Sequence, residues 1–245
     1  MRLAILTLAL ASLACARPSA AQHEHHMSAD SGMAMPSMQS AAEQSMSAAM
    51  EMNPHMRMTA ARPATHADSV RARALVDTLR RALAKYRDVK AAESDGFRMF
   101  APQVKNQRVY HFTRNFNAVK AAFAFDPAQP TSLLYTKDAS GRFDLVGAMY
   151  TAPRRASEED LNARIPLSIA RWHEHVDICI PKRGDAERWK ETLNGQLRFG
   201  PAGSITTKAD CDAANGRWLE HLFGWMVHAN VFASDKLGEI WGDRS

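Results

Sequence analysis

Hydrophobic and polar residues recur along this chain with two different periods, and the changeover falls at Gly96. Before it, Leu75, Leu79, Leu83 and Tyr86 repeat at three- and four-residue intervals with Val89 behind them, while Arg and Lys fill the opposite side. This is the pattern of an amphipathic helix lying on a core, capped by Thr65 or Asp68 and terminated at Gly96. Beyond Gly96 the period shortens toward two. Segments 97–100, 109–112, 121–125, 133–137 and 142–150 read as short strands. Asp126-Pro127-Ala128-Gln129-Pro130 is a turn, and Asp138-Ala139-Ser140-Gly141 suits a hairpin loop. Ser157 with Glu158, Glu159 and Asp160 opens a short helix whose acidic residues sit at the positive end of its dipole. Residues 185–193 read as helical, ended by Asn194-Gly195. Thr206 or Thr207 opens another short helix that carries Cys211 and closes at Asn215-Gly216. The expectation is one α+β domain over residues 65–245. It has an antiparallel sheet, open or barrel-like, an N-terminal amphipathic helix and short helices at the edges.

The segment Arg171-Trp172-His173-Glu174-His175-Val176-Asp177-Ile178-Cys179 adds chemistry to that pattern. As a strand it puts His173, His175, Asp177 and Cys179 on one side, against Trp172, Val176 and Ile178 on the other, with Glu174 interrupting the apolar row. Side chains two apart on a strand start roughly 6–7 Å from each other, so two imidazoles can reach one ion. The later run Trp225-Met226-Val227-His228-Ala229-Asn230 places Met226, His228 and Asn230 together and can supply a third imidazole. His173, His175 and His228 are therefore the expected metal ligands, with one coordination position left open. Asp177 and Asn230 are candidate supporting groups; Met226, His111 and His221 are alternative ligands. Copper is the preferred ion and zinc the second choice. Glu174 or Asp177 could serve as a general base if the site is catalytic. No residue is assigned a catalytic role.

Composition divides the chain into three. Met1-Arg2 and the apolar run 3–14, followed by Ser19-Ala20-Ala21, have the layout of a signal peptide over residues 1–21. That run is too short to span a bilayer, and no later stretch is long enough. The expected location is periplasmic or secreted; Ser12-Leu13-Ala14-Cys15 offers the alternative of a lipid anchor on Cys15. Residues 22–64 read as a disordered tail, since small and polar residues there cannot offset the entropy of ordering. Nine of the thirteen methionines fall in it, too many for a mere spacer. Met33, Met35, Met38, Met52, Met56 and Met58, with His23, His25 and His26, are candidate donors for a soft metal. Cys179 and Cys211 are expected to be bonded in an oxidising compartment. The net charge of +5 comes without an arginine-rich arm or an aromatic-interleaved basic stripe, which argues against nucleic-acid binding.

Three resemblances follow from these residues. The tail resembles the Met/His-rich segments of periplasmic copper-handling proteins. His173-Glu174-His175 resembles the first metal motif of the cupins, with His228 matching their later histidine. Their glutamate has no counterpart at Cys179 or Ile180, and their glycine framework is missing. The Trp172-His173…His175…Cys179 and Phe223-Gly224-Trp225-Met226-Val227-His228 segments resemble an uncharacterised family of exported bacterial proteins, which implies no function. Nucleophile-elbow, P-loop and dinucleotide fingerprints are absent. The functional expectation is an exported metal-binding protein for copper sequestration, carriage or tolerance. The alternatives are a metalloenzyme, hydrolase or oxidoreductase, on the same site, and a metal-free binding or scaffold domain.

Overall fold

Backbone pairing organises the chain around one antiparallel sheet. The computed structural model describes residues 52–242 apart from 103 and 105. Its strands are β1 (Met56–Met58), β2 (Arg98–Met99), β3 (Tyr110–Thr113), β4 (Ser132–Lys137), β5 (Phe143–Ala152), β6 (His173–Pro181), β7 (Thr192–Leu193), β8 (Gln196–Leu197), β9 (Gly216–His221) and β10 (Trp225–Ala229). Eight of them form the sheet in the order β1-β6-β10-β5-β4-β3-β2, with β9 also paired to β6. β7 and β8 make a separate small hairpin. The architecture is α+β as expected, but the sheet is not closed into a barrel.

The helices are α1 (His66–Leu83), α2 (Val89–Ser94), α3 (Asn115–Ala121), α4 (Glu158–Arg164), α5 (Lys208–Ala213) and α6 (Leu237–Ile240). Of the two cap candidates for α1, Thr65 holds the position and its hydroxyl accepts from the Asp68 amide. The stripe Ala72, Val76, Leu79 and Leu83 is buried. It packs on one side of the sheet with Phe112, Leu133, Tyr135, Tyr150, Trp172 and Val227, the main core. Arg80 ties α1 to the chain end by donating to the Val231 carbonyl at 2.8 Å. α4 opens with a full capping box between Ser157 and Asp160.

Three expectations are corrected. Residues 121–125 are not a strand, because the chain enters α3 at Asn115 and continues in a turn through Ala124. The buried Asn117 amide, donating to the Pro130 carbonyl at 2.8 Å, anchors that helix. A short apolar run has no period long enough to separate helix from strand. Residues 185–193 form only a 3-10 turn, Ala186–Lys190, before the β7–β8 hairpin.

Residues 55–59, expected to belong to the disordered tail, are part of the fold. Met56–Met58 pairs with β6 as an edge strand, His55 is buried with its Nε2 2.9 Å from the Gly203 carbonyl, and Thr59 is buried against the Trp172 backbone. Composition misjudged this stretch because an edge strand is stabilised by a partner's backbone rather than by its own side chains. The expectations for His23, His25, His26, Met33, Met35 and Met38, and for the signal segment and Cys15, lie outside the described residues.

β6 changes partners halfway. Its first residues pair with β1 and β10, whereas Val176 to Pro181 pair with β9. At the junction Asp177 has φ 54°, left-handed backbone that interrupts the strand's alternation. Ile178 and Cys179 are consequently both buried, and Cys179 leaves the histidine row for a second small core with Phe199, Ile205 and Cys211. There Cys179 is bonded to Cys211, their Cα atoms 5.5 Å apart.

Candidate functional site

The side of the sheet away from α1 carries the histidines. Register fixes this, because directly paired residues in antiparallel strands point the same way. His173 pairs with Met58 on one flank and Met226 on the other, and Met226 pairs with Thr151. The adjacent row runs His228–Met149–Ser132–Thr113. His175 pairs with Met56, and His111 with Leu134. Imidazoles and thioethers thus alternate across the floor.

His173, His175, His228 and His111 all line one cleft of about 560 Å³. Their ring centres form a chain: His111 to His228 is 5.6 Å, His228 to His173 is 5.3 Å, and His173 to His175 is 5.6 Å. Two imidazoles bound to one ion through bonds of 2.0–2.1 Å would hold their ring centres about 5 Å apart at tetrahedral angles. Each adjacent pair is therefore spaced slightly wider than two imidazoles sharing an ion would be. Among the described residues, no group of three or more His, Cys, Asp or Glu side chains is arranged to hold a metal ion. Reorientation of the rings is needed to form one.

The approach of His111 was not legible locally. β3 stands three strands from β10 in the sheet order, yet its imidazole reaches His228. The sheet must curl with the histidines on its concave side. Gly147 permits that curl, because a Cβ there would lie 2.0 Å from the Ala229 carbonyl oxygen and 2.9 Å from the Asn230 Cα. β5 and the end of β10 approach more closely than any side chain allows.

The other expected residues fall elsewhere. Asp177 is exposed and outside the cleft, displaced by its own left-handed backbone. Asn230 is buried, but its amide donates to the Gly242 carbonyl at 2.7 Å and pins the chain end. His221 turns to the Glu174 carboxylate, Nδ1 to Oε1 3.3 Å. Glu174 itself is 0% exposed and ion-paired with Arg57, whose guanidinium also stacks on Trp225. Met226 does line the cleft, whereas Met52 is exposed on the surface. Cys179 and Cys211 lie in the second core.

Several lining residues escaped the sequence reading. Thr131 and Thr151 share a hydroxyl contact of 2.7 Å, and Thr113 bonds Ser132 at 2.8 Å, giving the cleft a hydroxyl band beside His228. Each hydroxyl keeps capacity for a further bond. Period two along β5, through Gly147, Met149 and Thr151, was the available signal. The remaining wall is mostly apolar, with Phe100, Ala118, Pro153, Leu222 and Phe223, and no carboxylate among the described residues lines the cleft. Arg154 stands at the rim.

Comparison with known proteins returned nothing similar: no family model, no curated protein and no solved structure matches this chain.

Proposed function

We propose that this is an exported metal-binding protein that holds copper at the histidine floor of the cleft. The observation that carries the reading is the chain of four imidazoles with ring centres 5.3–5.6 Å apart on one concave surface. His173, His175 and His228 form the ligand set, and His111, whose ring meets that of His228, is the alternative third ligand. The charge balance favours a soft monocation. Neutral imidazoles without a lining carboxylate leave a dication uncompensated in a partly buried site, which is costly. Cu(I) brings a single charge and accepts both imidazole and thioether donors. Met58 and Met226, which flank His173 across the strands, suit it too. Zinc is the competing ion. Export is supported by the signal-like start of the chain and by the bonded cysteine pair.

Metal analysis of protein isolated from its native compartment, followed by Cu(I) titration against a competing chelator, tests this. One high-affinity equivalent is expected in the folded part. His173→Ala and His228→Ala should each weaken it by an order of magnitude or more, while His221→Ala should change little. Affinity should fall on acidification, because protons compete for the imidazole nitrogens. Copper and zinc at background levels, or equal affinity in all three variants, would sink the proposal.

A second reading, a metalloenzyme, is favoured by the cleft itself. A volume of about 560 Å³ beside the ligands exceeds what an ion needs and suits a small substrate. Azide added to the Cu(II)-loaded protein discriminates: a new charge-transfer band signals an open coordination position, and an unchanged spectrum a closed storage site.

A further inference from the structure

We infer that the rim of the histidine cleft is a docking surface for an anionic phospholipid membrane. α3 supplies its centre. Phe116, Val119 and Phe123 recur at three- and four-residue spacing along α3 and its following turn, and all three face solvent, Phe116 at 61% and Phe123 at 84% exposure. The opposite side of the same helix, through Ala118, forms cleft wall. Phe100 and Phe223, both about half exposed, extend the apolar surface, their rings in edge contact at 5.9 Å. Phe100 and Phe116 share the adjoining groove. Phe100, Phe116 and Phe223 thus meet around the cleft and its adjoining groove, and Val119 and Phe123 continue the exposed side of α3 from Phe116. A soluble surface rarely leaves such a contiguous patch in water unless a partner covers it.

The charge around this patch selects the partner. Arg98, Arg114 and Arg154 line the cleft or the adjoining groove, Lys120 lies over the Phe116 ring at 5.7 Å, and among the described residues no carboxylate lines either space. Arg98 is engaged by the Glu93 and Phe97 carbonyls and Lys120 by the Gln129 amide oxygen, while Arg114 lies over the Phe116 ring and also acts on the Asp95 carboxylate. The charge of Arg98 and Lys120 therefore remains available to an outside anion. Apolar rings ringed by cations match the boundary between acyl chains and anionic headgroups. The net charge of +5 draws the whole chain the same way. Among the described residues no helix is long and apolar enough to cross a membrane, so the contact is one of lying on the surface.

Hydrogen exchange of the full chain, read peptide by peptide, isolates this surface from any contribution of the N-terminal segment. The probes are phosphatidylcholine vesicles with and without phosphatidylglycerol. Exchange over residues 113–124 and 222–224 should slow by at least roughly tenfold with phosphatidylglycerol present, the factor that burying a single ring supplies. High salt should reverse the effect. The double variant Phe116→Ser/Phe123→Ser should abolish it while leaving exchange of the main sheet unchanged. Val70→Ser, a change at an exposed position elsewhere, should leave it intact. No slowing with anionic vesicles overturns the proposal, as does slowing that survives in the double variant. Slowing that needs only a higher protein concentration also overturns it, because the patch would then bind a second copy of the chain.

Discussion

Gly216 and the Cys179–Cys211 bond should be energetically coupled, and the coupling has a defined sign. A Cβ at Gly216 would lie 2.4 Å from the Cys179 sulfur and 2.8 Å from the Cys211 sulfur, and 3.2 Å from the Ile180 carbonyl oxygen. Real Cβ atoms do not tolerate the first two distances, so Gly216→Ala forces the disulfide or β9 to move. Overpacking of that kind costs about 1–3 kcal/mol. Removing both sulfurs in Cys179→Ala/Cys211→Ala loses the constraint on a loop with a sequence separation of 32 residues. In the chain-entropy account that is worth about 3–4 kcal/mol. In the triple variant the two closest obstacles to the added methyl are gone, so most of its cost vanishes. The triple variant should therefore be more stable than the sum of the separate losses predicts, by about 1–2 kcal/mol. Denaturant unfolding of the four proteins measures this, with thiol labelling of unreduced, denatured wild type checking that Cys179 and Cys211 are oxidised. Additive losses to within about 0.5 kcal/mol would refute the packing argument, and labelling of both cysteines would remove its premise.

Two further outcomes concern charge. Arg57→Met strands the fully buried Glu174 carboxylate with His221 alone and should cost about 3–5 kcal/mol, whereas Glu174→Gln leaves a guanidinium that is already 52% exposed and should cost clearly less. Equal losses in thermal or denaturant melts would show that Trp225 stacking, not the ion pair, is what Arg57 contributes. The second outcome concerns Asp160, whose carboxyl is held below the usual carboxylate range by the Ser157 amide first and the Ser157 hydroxyl second. A lowered folded value means that its stabilisation is fully present above the ordinary aspartate pKa of about 3.9 and is lost as pH falls through the lower folded value. An NMR titration of Asp160 that shows no lowering, or an acid-induced loss of α4 unchanged in Asp160→Asn, would count against the capping box.

Local rules decided much of this protein before any fold existed. The 3.6-residue stripe of α1, its Thr65 cap, the Ser157 capping box, the 138–141 loop and the shared face of His173 and His175 all follow from interactions within a few residues. That range is where sequence pattern and backbone geometry are tied together. The expected pairing of Cys179 with Cys211 rested on compartment and cysteine count, not on local pattern. Placement across the sheet was a different matter. Asp177 has a residue type that tolerates left-handed backbone, yet only the switch of β6 from β10 to β9 makes it adopt one and removes Asp177 and Cys179 from the histidine row. The edge strand β1 exists because β6 offers it a partner, so a composition that argues for disorder was outweighed by backbone bonds formed far along the chain. His111 meets His228 across three steps of the strand order, a contact that needs the sheet to curl. His221 is withdrawn from the metal set because Glu174 is buried beside it. Each of these depends on which strand lies next to which. Strand neighbours are set by burial summed over the whole core, and no window of sequence contains that sum.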